Sequence, residues 1–387
     1  MTFLQLDKTH KQIQKAVSDF IKGEFKKEIL EEIIEQYSFP EDIWKKACEL
    51  GLIGMHYPEK YSGQGLGIFE NVLVAQSLCR GDSSVGGCLV MAGHGAELIL
   101  RQGSPELKQA WLPKIAQGQI LSSTAFTEPG IGNDLDMCCT TAKKENDHYI
   151  INGTKTFAMN AGPLAGFYLV LCRTDQAAPS DKAFSIILVQ ADCDGITCTD
   201  VGAKLGRRLM DISQVQFDQV KVPLRNLIGQ ENKGMAILDD FFNETRVIAA
   251  AQALGMAQGA FDRALAHVKQ REQFGQKIVD FQITRQKIAD MATKIEAAKL
   301  MTYQAAWQLE NIKKPGLKTG AMAKLFAARA AFEVCDEAIQ MFGGYGYMQE
   351  YEVERFYRDV KMVDLFDGSK VMQKDIIAAE LIKGKGI

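Results

Sequence analysis

The chain has 387 residues, 47% of them hydrophobic and 24% charged, with a formal net charge of −3. That length is enough for two or three domains with sizeable cores. The near-neutral balance excludes a global electrostatic pull toward nucleic acid or an acidic membrane.

The opening residues, through Val17, contain no uncharged apolar run, which argues against a signal peptide. No stretch reaches the roughly 18 apolar residues needed to span a bilayer, so no membrane insertion is expected. The nine cysteines form no C-x-x-C pair, and neither Cys138-Cys139 nor Cys193 with Cys198 has zinc or iron–sulfur spacing. They read as reduced thiols of a cytoplasmic protein.

Residues 1–121 read as a helical domain. Ile13, Ala16, Val17, Phe20 and Ile21 follow helical spacing behind a polar start at Asp7 and Thr9. Ile43, Ala47 and Leu50 form a shorter stripe, residues 58–65 are rich in helix breakers, and helical spacing resumes over 70–101.

Residues 122–233 change texture. His148–Phe157 reads as two strands joined at Asn152-Gly153, a strong hairpin signal. Phe167–Arg173, Phe184–Val189, Ile196–Val201 and Val215–Val222 are further strands, and Pro223 closes the region. A small antiparallel β-barrel is expected.

Residues 234–387 return to helix. Val247, Ala251, Leu254, Phe261, Leu265 and Val268 form one apolar stripe. Phe281, Ile288, Met291, Ile295 and Ala298 form a second. Leu325, Ala328, Phe332, Cys335, Ile339 and Phe342 form a third. Long antiparallel helices with short loops make a four-helix bundle. The fold class is thus α+β and multidomain, in the order helices, barrel, helices.

That order excludes several chemistries. The glycine-rich pieces around Gly63 and Gly343 neither follow a strand nor match G-x-G-x-x-G, and neither a P-loop nor H-E-x-x-H is present. The five histidines (10, 56, 94, 148 and 267) are dispersed and read as surface or core residues. No metal site is expected.

Four segments carry a resemblance. They are Thr124-Ala125-Phe126-Thr127-Glu128-Pro129-Gly130-Ile131-Gly132-Asn133-Asp134; Arg271-Glu272-Gln273-Phe274-Gly275 with Gln282; Gln340-Met341-Phe342-Gly343-Gly344-Tyr345-Gly346; and Arg358-Asp359 leading to Leu365-Phe366-Asp367-Gly368-Ser369. In this order, across this layout, they resemble the acyl-CoA dehydrogenase family over essentially the whole chain. The resemblance implies FAD held between barrel and bundle, an acyl-CoA substrate, a homotetramer built as a dimer of dimers, and electron-transfer flavoprotein as acceptor.

The same resemblance assigns positions. Phe126, Thr127, Gly132, Asn133, Phe157, Met159 and Ser369 fall at flavin-contact positions, although Met159 replaces a hydroxyl residue and its thioether cannot donate a hydrogen bond. Arg271, Phe274, Gln340, Gly343 and Gly344 match residues that reach the cofactor of a second subunit. Phe242, Asn243, Arg246, Met91, Phe366 and Gly368 are substrate-side positions, with Asn243 where an Asp is common. Leu89, Val90 and His94 are further pocket candidates.

The family's usual base is a Glu in a Tyr-Glu-Gly-Thr turn; here the turn reads Phe366-Asp367-Gly368-Ser369. A minority of members place the base just before the arginine matching Arg246, which here is Thr245. Glu244 lies one residue, about 100°, away around a helix. Asp367 is therefore the expected base. Asp is shorter than Glu by about 1.5 Å, which favours a substrate whose α-hydrogen sits nearer the turn. Cyclic or α-branched acyl-CoA esters meet that need, cyclohexane-1-carboxyl-CoA first among them. The alternatives are a short- or medium-chain or aryl-propionyl acyl-CoA dehydrogenase, a nitroalkane oxidase-like enzyme that uses an Asp base without CoA, and a DNA-binding flavoprotein relative. The charge balance and Asp367 weigh against the last.

Overall fold

The computed structural model describes residues 6–384, so Met1–Gln5 of the N-terminal reading lie outside the described residues. The chain opens with helices α1 (Lys8–Glu24), α2 (Lys27–Gln36), α3 (Glu41–Glu49), α4 (Ile68–Gly81), α5 (Ser83–Met91), α6 (Ala96–Gln102) and α7 (Pro105–Ala116). The polar start before α1 is a capping box. The Asp7 carboxylate accepts from the His10 amide at 2.9 Å, and the Asp7 amide donates back to the His10 ring at 3.3 Å. Val17 and Phe20 from the α1 stripe are buried, as are Ile43 and Ala47 from α3.

One segment departs from the hydropathy reading. Ser83–Gln102 is long and apolar enough to cross a bilayer, with a mean hydropathy of 1.2 over its best 18-residue window. That window is 78% buried inside the protein. The segment is apolar because α5 runs through the core, and its break at residues 92–95 leads into the site described below.

The strands follow: β1 (Leu121–Ala125), β2 (Thr141–Glu145), β3 (His148–Met159), β4 (Ala165–Arg173), β5 (Phe184–Gln190), β6 (Ile196–Asp200), β7 (Ile212–Pro223) and β8 (Leu227–Ile228). They form an eight-stranded sheet in the order β6-β7-β3-β1-β4-β5-β8, with β2 also paired to β3 and β4. Most pairs are antiparallel, but β1 and β4 run parallel from Leu121↔Ala165 to Ala125↔Val170, so the sheet is mixed rather than all-antiparallel.

Asn152-Gly153 is not a hairpin turn. β3 runs unbroken from His148 to Met159, and its register against β7 shifts between Ile151 and Gly153, the signature of a bulge. Gly153 has φ +151°, and a Cβ there would sit 2.4 Å from Thr140 Oγ1, so the glycine serves a close backbone approach. The tight turn lies earlier, where Glu145 pairs with His148 across Asn146-Asp147 and Asn146 takes φ +52°.

The C-terminal part comprises α8 (Gly234–Gln270), the short strands β9 (Glu272–Gln273) and β10 (Gln276–Lys277), α9 (Gln282–Asn311), α10 (Leu317–Phe342), α11 (Val353–Val363) and α12 (Lys370–Ile382). The long helices α8, α9 and α10 pack side by side, α11 and α12 close against α10, and α4 lies along α8. The α8 stripe at Val247, Ala251, Leu254 and Val268 is buried. On α10 the deepest face is alanine-rich (Ala323, Ala327, Ala330, Ala331, Ala338), allowing close helix approach. The turn between α11 and α12, the α5–α6 break, the end of β1 and the start of α8 converge where the three parts meet.

Candidate active site

A cavity of about 350 Å³ opens at that junction. Its walls bring together Phe126, Thr127, Gly132, Asn133, Phe157, Met159, Phe242, Phe366, Asp367 and Gly368 from the residues expected by sequence, with His94 and Thr124 beside them. Met159 faces Thr124 across the β1–β3 pair, and its thioether contributes an apolar surface. Phe157 is held at φ +52° with 64% of its surface exposed, so a large ring is presented to the cavity mouth.

The base candidate sits on a left-handed turn. Asp367 has φ +51° and Gly368 φ +89°. Aspartate tolerates this region better than most L-residues. A Cβ at Gly368 would meet Gln373 Nε2 at 2.7 Å and make that side chain shift. Two buried side chains fix the turn's carbonyls: Lys324 Nζ donates to Phe366 O at 2.7 Å and Gly368 O at 2.6 Å, and Gln373 Nε2 donates to Gly368 O at 2.8 Å and Asp367 O at 3.2 Å. On the outer side Asn133 Nδ2 donates to Ser369 Oγ at 2.8 Å and Asn133 Oδ1 accepts from the Ser369 amide at 3.3 Å. The amide of Asp367 donates to no group among the described residues, leaving it available to a ligand.

The Asp367 side chain is only 4% exposed. Burial favours its neutral form, but nearby charge outweighs this. The His94 ring, 3.4 Å from Oδ2, and the Lys324 ammonium hold the carboxyl below the usual range. His94 shifts the other way: burial opposes its protonation, and the facing Asp367 carboxylate lifts it above the ordinary histidine value. His94 Nδ1 lies 3.4 Å from Thr124 Oγ1, so both ring nitrogens are engaged. Burial pushes Lys324 down to about 8. Thr245, unsuited to act as base, sits close enough to favour the ionised carboxylate, although its hydroxyl has no partner within hydrogen-bond geometry.

Behind Asp367 lies a smaller cavity of about 30 Å³, lined by Val90, Met91, His94, Glu97, Glu244, Thr245 and Phe366 among others. Glu244 is thus near Asp367 after all, but Arg101 holds its carboxylate at 3.3 Å and turns it to this rear face. Met91 faces this cavity with its sulfur accepting from Gln252. Leu89 is fully buried and lines neither cavity.

Arg246 is 1% exposed, and its Nε and Nη1 lack hydrogen-bond partners. Its guanidinium lies 5.9 Å from the Phe242 ring centroid, with Asp367 and Asp239 as the nearest compensating charges. A buried cation with free donors is costly unless a ligand satisfies it. Asn243 is buried with its Oδ1 unpartnered, close to Gly320 of α10.

The remaining expected residues lie in a separate open groove of about 850 Å³, lined by Arg271, Gln340, Gly343 and Gly344. Arg271 is exposed and stands 5.5 Å over the Tyr345 ring. Gly343 and Gly344 have nothing within 4 Å of a Cβ position, so their backbone is open to a ligand. Phe274 stands apart at φ +54° and 93% exposure. A flat aromatic group fits the first cavity, and a phosphate-bearing chain fits basic, open-backbone residues such as these. FAD combines both chemistries, so the residues present suit it.

Sequence reasoning missed His94 as a partner of Asp367, and missed Lys324 and Gln373 altogether. Lys324 did carry a signal: it stands at helical spacing with Ala327, Ala331 and Val334 on the most buried face of α10.

Comparisons with known proteins agree along the chain. The N-terminal, middle and C-terminal domain profiles of acyl-CoA dehydrogenase match residues 7–119, 123–220 and 232–382. A protein named cyclohexane-1-carbonyl-CoA dehydrogenase from Geobacter metallireducens is 40% identical over 337 residues, 87% of each chain. The caffeyl-CoA reductase-Etf complex subunit CarC of Acetobacterium woodii is 36% identical, over 97% of this chain and 98% of that one. Among solved structures, glutaryl-coenzyme A dehydrogenase in complex with glutaryl-CoA superposes with a TM-score of 0.94 at 32% identity, covering 98% and 96% of the two chains.

Proposed function

The chain belongs to the acyl-CoA dehydrogenase family of FAD-dependent oxidoreductases, and we propose that it oxidises a cyclic or α-branched acyl-CoA, cyclohexane-1-carboxyl-CoA first. The observation that carries this reading is the buried Asp367 carboxylate, kept ionised on a rigid turn that faces the main cavity. Support for the acyl group comes from the short base and from the 40% identical relative of that name.

Asp367 takes the α-proton of the thioester, breaking the α C–H bond and leaving its electron pair for the new carbon–carbon double bond. Bound FAD supplies the acceptor for the β-hydride. The Asp367 amide donates to the thioester carbonyl and stabilises the negative charge that develops there. Phe126, Thr127, Phe157 and Met159 form the surface against which the flavin is held, while Arg246 satisfies its free donors on the CoA portion. Arg271, Gln340, Gly343 and Gly344, with Phe274, serve the cofactor of a neighbouring subunit in a homotetramer. Electron-transfer flavoprotein is the acceptor, a reading supported by the Etf-complex relative.

Comparing kcat/KM for cyclohexane-1-carboxyl-, isobutyryl-, butyryl- and octanoyl-CoA tests the substrate. The cyclic ester is expected to be best, and Asp367→Glu to shift preference toward straight chains. A wild-type preference of about tenfold or more for butyryl- or octanoyl-CoA defeats the proposal.

A further inference from the structure

The α-proton has no obvious exit. The Asp367 side chain is almost wholly buried, and the substrate occupies the cavity it faces. A carboxyl that keeps the proton cannot act again. On the side away from the main cavity, however, further polar groups line two smaller cavities. His94 touches Asp367 and lines both the main cavity and the one behind it. Glu97 and Glu244 line that rear cavity and also the next, of about 200 Å³, which reaches Arg101 and Asp240. Arg101 is 55% exposed at its side chain, and Asp240 is exposed. The rear cavity of about 30 Å³ is large enough for a water molecule, and its polar walls give that water partners.

We infer that the proton taken by Asp367 leaves through His94 and then between Glu97 and Glu244 to the surface at Arg101 and Asp240. This rests on the proposed role of Asp367 as base. In the resting pair His94 carries its proton beside the ionised Asp367. Once Asp367 has taken the α-proton, the imidazolium no longer faces a carboxylate and gives its Nε2 proton to water in the rear cavity, and that proton ends in solvent. The Asp367 O–H bond then breaks and a new His94 Nε2–H bond forms, which restores the pair. In the tautomer whose Nδ1–H donates to Thr124 Oγ1, Nε2 faces Asp367 with a lone pair and can accept. His94 is therefore a positioning and proton-transfer residue, acting through Asp367. The charges facing the pair are Lys324 from α10, Arg246 and Glu244 from α8, and Glu97 from α6. Glu97 is itself held ionised against burial by His56, 3.5 Å away. A fixed negative charge on the exit side draws the proton outward.

Two measurements test this. The first follows ¹³C-histidine NMR titrations, with His94 assigned by its loss in His94→Gln. The His94 pKa is expected above the ordinary value in wild type and lower in Asp367→Asn; an unchanged value overturns the pairing. The second places holoenzyme and cyclohexane-1-carboxyl-CoA in D₂O without external acceptor. It measures deuterium gained at the substrate α-carbon per turnover of flavin reduction and reoxidation. His94→Gln and Glu97→Gln are expected to lower that ratio by about tenfold or more. Structural damage slows both processes and leaves the ratio unchanged, so an unchanged ratio in both variants overturns the exit path. If no acyl-CoA in the panel bleaches the flavin, the failure belongs to the proposed function, and the NMR titration still decides the His94–Asp367 pair.

Discussion

Lys324, in the N-terminal third of α10, reaches the carbonyl oxygen of Phe366 at 2.7 Å and so ties the bundle to the turn that carries the base. The same ammonium bonds Gly368 O at 2.6 Å, which brackets Asp367 between two anchored neighbours. Holding a base to within a fraction of an ångström matters because about 1 Å of misplacement can cost on the order of 100-fold in rate.

Removing that anchor is expected to cost rate more than fold. Lys324→Met keeps the length and apolar character suited to an alanine-lined face. It should slow flavin reduction by about tenfold or more, with the far-ultraviolet spectrum unchanged. The pH dependence has a definite sign. Lys324 is pushed down to about 8 in the folded protein, against an ordinary lysine value of 10.5. Between those values the unfolded chain binds the extra proton, so the lysine's contribution to stability rises with pH across the window. Denaturation at pH 7.5 and pH 10 should show wild type gaining relative to Lys324→Met; the opposite trend contradicts the burial argument.

Arg246 is a buried cation whose Nε and Nη1 have no partner. Such donors cost about 1–3 kcal/mol when left unsatisfied. Arg246→Met should raise the melting temperature of the ligand-free protein and weaken acyl-CoA binding, seen by calorimetry with a non-reactive thioether analogue. Unchanged affinity would exclude its substrate role.

Arg271 is exposed in the open groove, so Arg271→Ala should leave the bundle's stability nearly unchanged. If it serves the cofactor of a neighbouring subunit, the purified variant should retain less FAD per chain than wild type. Equal retention, read by absorbance after extraction, refutes that role.

The large-scale layout was legible because it rests on periodicity. The α8 stripe is buried at Val247, Ala251, Leu254 and Val268 and partly buried at Phe261 and Leu265, while the α10 stripe is buried at Ala328, Cys335 and Phe342 and partly buried at Leu325, Phe332 and Ile339. Local punctuation was less reliable. Asn152-Gly153 has the composition of a hairpin turn but forms a bulge in an unbroken strand, because Thr140 crosses too close for any side chain at 153. Asn146-Asp147 makes the turn instead. At the site, Asp367 was singled out only through the resemblance of the turn at residues 366–369 to a family motif. Its partner His94 was not, since 273 positions separate the two and only the α5–α6 break brings them together. Glu244 was set aside by helical geometry; that geometry does turn it away from the main cavity, but onto the rear face of the same carboxylate.

The central claim is that Asp367 removes the α-proton of an acyl-CoA. Anaerobic stopped-flow mixing of FAD-loaded enzyme with cyclohexane-1-carboxyl-CoA reads it directly as loss of flavin absorbance. Asp367→Asn keeps the side-chain shape and suits the left-handed turn, so the variant should fold and bind the thioester. Its bleaching rate should fall by about 10²-fold or more, the contribution of a positioned base. Bleaching at close to the wild-type rate in a folded, FAD-loaded Asp367→Asn enzyme would contradict the account and point to another base.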